Sequence, residues 1–298
     1  MLNLNGIKVK NRFFIAAGPA KYGRGYKFSE NPMSYLFYGL NLVKPELFGG
    51  VTTKTLTLLP HLGNYRRYVP RQVLKKLDDG WANRFGWNNC GIDYFVEHKY
   101  PKVKNKLSNL IISIGAVNQI EEIFQMIEKI NRIKVLAVEL NISCPHVKIL
   151  FRDNRKKLEE LFTKTVKLSL HPLIAKLGPE DDAVVKAIIA EQAGINAVSL
   201  INTIPMFIEN FGDCGRSGPG IKKIALEKVE EISSAVKIPI IGGGGIMDEA
   251  DCREFFIAGA RAVFFASVFF THPFRPQKIV NNNLKKEEAL WKMKKKKA

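Results

Sequence analysis

Two lysines stand at the ends of otherwise apolar runs, Lys54 in GVTTKT and Lys176 in PLIAKLG. A charge placed there needs an anion or a hydrogen-bonding ligand to offset its desolvation. The bland alternative is a lysine that snorkels past a rim. Other apolar runs also end in polar groups: Asn141-Ile-Ser143-Cys144, Asn202-Thr203 and Ala266-Ser267. A further run, IPIIGGGGIMDEAD, sets four glycines between a strand and a helix. Such a loop lets backbone N–H groups and a helix dipole approach a phosphate.

These residues act together only if their elements bring them to one place. Eight short apolar runs recur: Phe13 to Gly18, Gly50 to Thr55, Leu110 to Gly115, Val135 to Ser143, Pro172 to Gly178, Ala197 to Thr203, Ile238 to Gly245 and Ala262 to Ser267. Between several lie amphipathic stretches with apolar residues at three- and four-residue steps: Ile120 to Ile133, Asp181 to Gly194 and Ala225 to Val236. Strands alternating with helices signal a parallel sheet, and eight of them predict an α/β fold closed as a (β/α)8 TIM barrel. The strand ends then converge on its C-terminal face. The excursion from Leu56 to Asn109 is too long and too rich in Gly, Pro and Asn for a simple connection, and is expected to decorate that face. One barrel domain is expected over residues 1–275, followed by a basic tail or helix over 276–298.

Composition narrows the function classes. The 298 residues are 46% hydrophobic and 25% charged, enough for one large core. The formal charge of +18 would attract anions, nucleic acid among them. The lysines are dispersed, however, without aromatic interleaving, and the one dense run, KKEEALWKMKKKK, reads as a solvated helix. Nucleic acid is therefore not the expected partner. Four cysteines (Cys90, Cys144, Cys214, Cys252) form no CxxC pair, which argues against a zinc site or disulfide scaffold. No run of about 18 apolar residues and no signal-peptide pattern is seen, so stable membrane insertion is not expected and a cytosolic protein is.

The order of motifs NRFFIAAG, VTTKTLTLLPHLGN, NRFGWNNCG, ELNISCP, AKLGP, LINT, GRSGP, IPIIGGGGI and AGARAVFFAS resembles the dihydroorotate dehydrogenase family from about Asn11 to Phe270. The resemblance implies oxidation of dihydroorotate to orotate in pyrimidine biosynthesis with non-covalently bound FMN. It assigns the FMN phosphate to the main chain of Gly244, Gly245, Ala266 and Ser267, with Gly218 nearby. Ala17, Gly18, Lys54, Thr55, Asn141 and Lys176 would border the ring and ribityl chain. Lys176 would face the N1/O2 edge, where a cation stabilises the anionic reduced flavin. For the pyrimidine it implies Lys54, Asn83, Asn141, His146, Asn202 and Thr203. An asparagine amide both donates and accepts, which suits alternating C=O and N–H groups, although asparagines also cap turns. Cys144 would take the C5 proton as hydride passes from C6 to flavin N5; a lone cysteine is otherwise a small buried hydrophobe. Cysteine rather than serine there resembles the soluble class. For Cys90, Cys214 and Cys252 packing is the expected role.

Departures keep other readings open. NISCPH, with His146, is similar to the dihydropyrimidine dehydrogenases, which act on uracil-type rings with FMN. Ala17, Arg216 and Ala266-Ser267 also differ from the family's usual residues. A flavin enzyme acting on tRNA uridine, or a phosphate-binding barrel without redox chemistry, are further alternatives. Expected partners are a small pyrimidine, an FAD/iron-sulfur electron-transfer subunit and a second copy of the chain in a homodimer; fumarate or a quinone would serve equally as acceptor.

Overall fold

The computed structural model describes residues 2–19, 43–64, 73–143 and 154–297, with side chains to residue 286. Cys144 and His146 lie outside the described residues.

All eight apolar runs form strands, each shorter than its run. In chain order the strands are β1 (Leu2–Leu4), β2 (Ile7–Val9), β3 (Phe13–Ile15), β4 (Gly50–Thr52), β5 (Leu74–Leu77), β6 (Gly80–Asn83), β7 (Leu110–Ile114), β8 (Ala137–Asn141), β9 (Leu173–Lys176), β10 (Ala197–Leu200), β11 (Ile204–Ile208), β12 (Gly212–Ser217), β13 (Ile240–Gly242) and β14 (Ala262–Phe265). The closed barrel runs β10-β13-β14-β3-β4-β7-β8-β9, and every pair in it is parallel.

The barrel has two hydrophobic compartments, as strands buried on both faces require. Inside, Phe14, Ile111, Ala137, Ile174, Ala197, Ile241, Ala262 and Phe264 pack with Leu4, Ile7 and Val9 from the β1–β2 hairpin. That hairpin belongs to the inner cluster and so packs with the strands' inward side chains. Outside, the alternate strand residues, such as Val51, Ile112, Val138 and Val263, pack against the helices.

Apart from short helical turns between Ile92 and Val103 and at Pro45–Leu47 and Pro219–Ile221, the helices among the described residues are α1 (Glu121–Ile130), α2 (Arg155–Leu168), α3 (Ala183–Ala193), α4 (Lys222–Ala235), α5 (Glu249–Ile257), α6 (Val268–Thr271) and α7 (Arg275–Lys297). Their ends follow capping chemistry. The Asn154 side chain accepts from Lys157 N at the start of α2, and Asp248 and Asp251 form a reciprocal capping box on α5. Gly194 closes α3 in the left-handed region. Ahead of α1, the Glu122 carboxylate accepts from the backbone N–H of Val117 and Asn118 at 2.7 and 3.2 Å. The last helix seats Ile279 and Val280 in the outer core, and Lys286 reaches Glu249 at 2.5 Å.

A second sheet was not foreseen. Four antiparallel strands in the order β11-β12-β6-β5 combine a hairpin from the Leu56 to Asn109 excursion with a hairpin inserted after β10. Gly80, at φ +156°, lets the two hairpins meet, because a Cβ there would lie 2.1 Å from Ser217 O. Arg216 of β12 is ion-paired with Asp79 in the turn before β6.

Candidate active site

At the C-terminal ends of the barrel strands, under the four-stranded sheet, lies a cavity of about 990 Å³. Small-molecule sites span roughly 300–1,000 Å³, so this one has room for more than a single small ligand. Six barrel strands contribute their polar ends. Ala17 and Gly18 follow β3, Lys54 and Thr55 follow β4, and Asn141 and Lys176 end β8 and β9. Asn202 and Thr203 follow β10, and Ala266 and Ser267 follow β14. Asn83, from the end of β6, reaches the same cavity from above.

Buried hydrogen bonds hold several of these groups in register. Asn141 Nδ2 donates to Thr55 Oγ1 at 2.9 Å, and Thr55 Oγ1 shares a 3.0 Å bond with Ser113 Oγ. Asn202 Nδ2 donates to Ser143 Oγ at 3.0 Å and lies 3.4 Å from Asn141 Oδ1. Asn202 Oδ1 in turn accepts from Thr203 N at 2.9 Å. The chain runs from β4 to β10 across the barrel mouth, so neither asparagine can rotate without breaking bonds to another strand. Asn83 Nδ2 donates to Gly215 O at 3.1 Å, joining the cavity wall to β12.

The two lysines differ in setting. Lys176 is 6% exposed, and its Nζ sits 5.9 Å from the Phe264 ring centroid. Among the described residues no carboxylate lies within ion-pair distance of it. Lys54 is half-buried with Nζ 5.4 Å from the Phe85 ring centroid. A buried cation that forms no ion pair among the described residues and opens on a cavity is arranged to meet negative charge from a ligand.

Gly18 has φ +119°, where L side chains are strained, and a Cβ there would meet no atom within 4 Å. Among the described residues, then, no side chain stands between the Gly18 backbone and the cavity. Gly244 and Gly245 are placed differently. They do not line the cavity; Gly245, at φ +86°, passes so close to Gly218 O and Lys222 that a Cβ would lie 2.8 and 2.9 Å away. Their glycines serve the approach of this loop to the segment leading into α4, where Gly218 also lies. Ala266 and Ser267 are the part of the expected phosphate loop pair that reaches the cavity, Ser267 immediately preceding α6.

Several lining residues were not singled out from the sequence. Phe85, Trp87, Met206, Phe207 and Phe270 supply the apolar wall, and the first two sit inside the NRFGWNNCG stretch. Asn89 braces that stretch: its Oδ1 accepts from Thr57 N and Gly91 N, and its Nδ2 donates to Trp87 O. Arg84 lies over the Phe211 ring and donates to Phe211 O, tying the same loop to the tip of the β11–β12 hairpin. Cys214 also faces the cavity, half-buried, and partial burial pushes its thiol up against the opposing pull of Arg84. Cys90 and Cys252 are buried in the outer core.

A family profile described as Dihydroorotate dehydrogenase matches residues 1–287. Among curated proteins, the chain is 35% identical over 285 residues to one from Petrotoga mobilis named dihydroorotate dehydrogenase B (NAD(+)), catalytic subunit, covering 91% of this chain and 89% of that one. Proteins of the same name from Caldicellulosiruptor bescii and Geobacter sulfurreducens are each 35% identical over 288 residues, with 91% and 88% coverage.

Proposed function

The chain belongs to the dihydroorotate dehydrogenase family, and from that premise we propose how its cavity serves the family's reaction. The protein is an oxidoreductase that converts dihydroorotate to orotate in de novo pyrimidine biosynthesis. The observation that carries the residue roles is the convergence of six strand ends on one cavity.

The family uses a flavin, and we take it to be FMN. The donor set fits: bare main chain at Gly18, a buried cation at Lys176, and a polar chain through Thr55 and Asn141 suit a planar heteroaromatic ring that gains negative charge. When bound, FMN supplies at N5 the acceptor for the hydride leaving C6 of the substrate.

The protein's own groups do the rest. Ala17 and Gly18 would border the ring, and Lys176 would supply positive charge at its N1/O2 edge. Ser267 and Ala266, which reach the cavity, would hold the phosphate; the Gly244–Gly245 main chain, packed against Gly218 behind the cavity lining, backs them. Asn141, Asn202 and Asn83 orient the pyrimidine through paired donor and acceptor atoms, with Thr203 beside them. Lys54 offsets the substrate carboxylate. Cys144, directly after Ser143 in the chain, takes the C5 proton, and His146, two residues further along the sequence, is assigned to the substrate. Closure under the four-stranded sheet excludes water from the transfer.

The relatives are named as catalytic subunits of an NAD(+) enzyme. We infer the same division here: electrons leave through a separate subunit carrying FAD and an iron–sulfur group, on a cytosolic homodimer of this chain. No helix among the described residues is long and apolar enough to cross a membrane.

The test is an anaerobic absorbance spectrum of the purified protein before and after dihydroorotate. Bleaching of a flavin band with stoichiometric orotate is the expected result. A yellow protein that stays oxidised with dihydroorotate but bleaches with dihydrouracil would move the substrate to the uracil type, with His146 the first residue to exchange.

A further inference from the structure

One buried charge has no part in these roles. Glu139, in the middle of β8, is 4% exposed, and its Oε1 has no hydrogen-bond partner among the described residues. The other buried acids have evident work: Glu122 binds the N–H groups ahead of α1, and Asp251 holds Lys222 at 2.7 Å and caps α5. Nothing comparable satisfies Glu139.

Strand alternation directs Glu139 to the same side as Asn141, which lines the cavity, and therefore into the barrel. The register pairs Asn141 with Lys176 and Glu139 with Ile174. Glu139 thus lies one inward layer below Lys176 on the adjacent strand. On its other side its partner is Ser113, whose hydroxyl is engaged with Thr55. The remaining inward neighbours, Phe14, Ile111, Ile174 and Phe264, are apolar. Ser199 and Thr52 are neutral, and Lys54 follows β4, which is two strands away from β8 rather than adjacent to it. Among the described inward residues of β7, β8 and β9, Lys176 is consequently the one cation and Glu139 the one anion.

We propose that Glu139 is the buried counter-charge of Lys176: it stays ionised, steadies the ammonium, and subtracts from the positive field that the lysine presents to the ring above. The pair, rather than the lysine alone, then sets how strongly the site prefers reduced over oxidised flavin. Glu139 is a positioning residue, since Lys176 stands between it and the ligand. The proposal rests on the flavin reading of the cavity.

The first experiment is Glu139→Gln in the FMN-loaded protein, read as the midpoint potential of the bound flavin. Loss of the counter-charge should shift relative affinity toward the reduced form by about tenfold or more, an upward shift of about 30 mV for a two-electron couple. An unchanged or lowered potential overturns the proposal. A purely structural role would lower melting temperature and FMN content without that shift.

A second experiment needs no flavin and stands if Glu139→Gln does not fold. In apoprotein carrying Lys176→Gln, the Glu139 carboxylate is left buried with no cation on the adjacent strands. The stability of that variant relative to the wild type should be highest near pH 5 and fall as pH rises toward 8. The double variant with Glu139→Gln should show no such slope. A pH-independent loss in Lys176→Gln overturns the proposal, whereas a wild-type protein that binds no FMN overturns the flavin reading and leaves this second result to decide the charge pair.

Discussion

Thiols show how far surroundings divide one side chain into different tasks. Burial, followed by the charges of Asp251, Asp248 and Glu249, pushes the Cys252 thiol up from its ordinary 9.0 to about 12. A group whose pKa is raised on folding stabilises the native state fully below its unfolded value and loses that contribution as pH climbs. Stability should therefore decline between about pH 9 and 12, and Cys252→Ala should flatten part of that decline in urea titrations across the range. Cys90 is likewise pushed up by burial, against Lys99. The task proposed for Cys144 is the opposite, a base at the substrate. Cys144→Ala should keep bound FMN and pyrimidine affinity but slow flavin reduction by about two orders of magnitude or more in stopped-flow traces. Reduction at the wild-type rate would remove Cys144 from the mechanism.

At the level of elements, the eight barrel strands were legible because strands buried on both faces read as apolar runs, and because their polar ends interrupt those runs where the site begins. Lys54, Asn141, Lys176 and Asn202 stood out for that reason. The β11–β12 hairpin did not, since Pro205, Gly212, Gly215 and Arg216 break any alternation and its outer partner, β6, lies far away in the sequence. Its tip carried a usable signal, Asn210 and Gly212 both having positive φ. The Asp79-Gly80 pair likewise marks the β5–β6 turn. The glycine loop was read for phosphate binding, while its close approach to Gly218 depends on a tertiary contact that no local pattern encodes. Capping offers a clean local test: Asp248→Ala removes the bond from Asp251 N and should cost about 1 kcal/mol of stability, seen as a lower melting temperature with flavin content unchanged.

Across the whole molecule, the same barrel separates support from chemistry. The β1–β2 hairpin packs into the inner core, while the strand ends opposite converge on the cavity. If electrons leave through a second subunit, the chain alone should reduce an artificial dye with dihydroorotate and fail to reduce NAD; turnover with NAD by the isolated chain would remove the need for that subunit. The sheet over the cavity has a consequence in time. Asn83 and Gly215, which it joins, are 132 residues apart. At ribosomal rates of roughly 5–20 residues per second, the β5–β6 ribbon emerges about 7–26 s before the strand that will cover its free edge. For that interval the nascent chain carries an unpaired edge, open to neighbouring polypeptides. The cost of roofing the site with two distant insertions is thus borne during biosynthesis, as a window of vulnerability to aggregation.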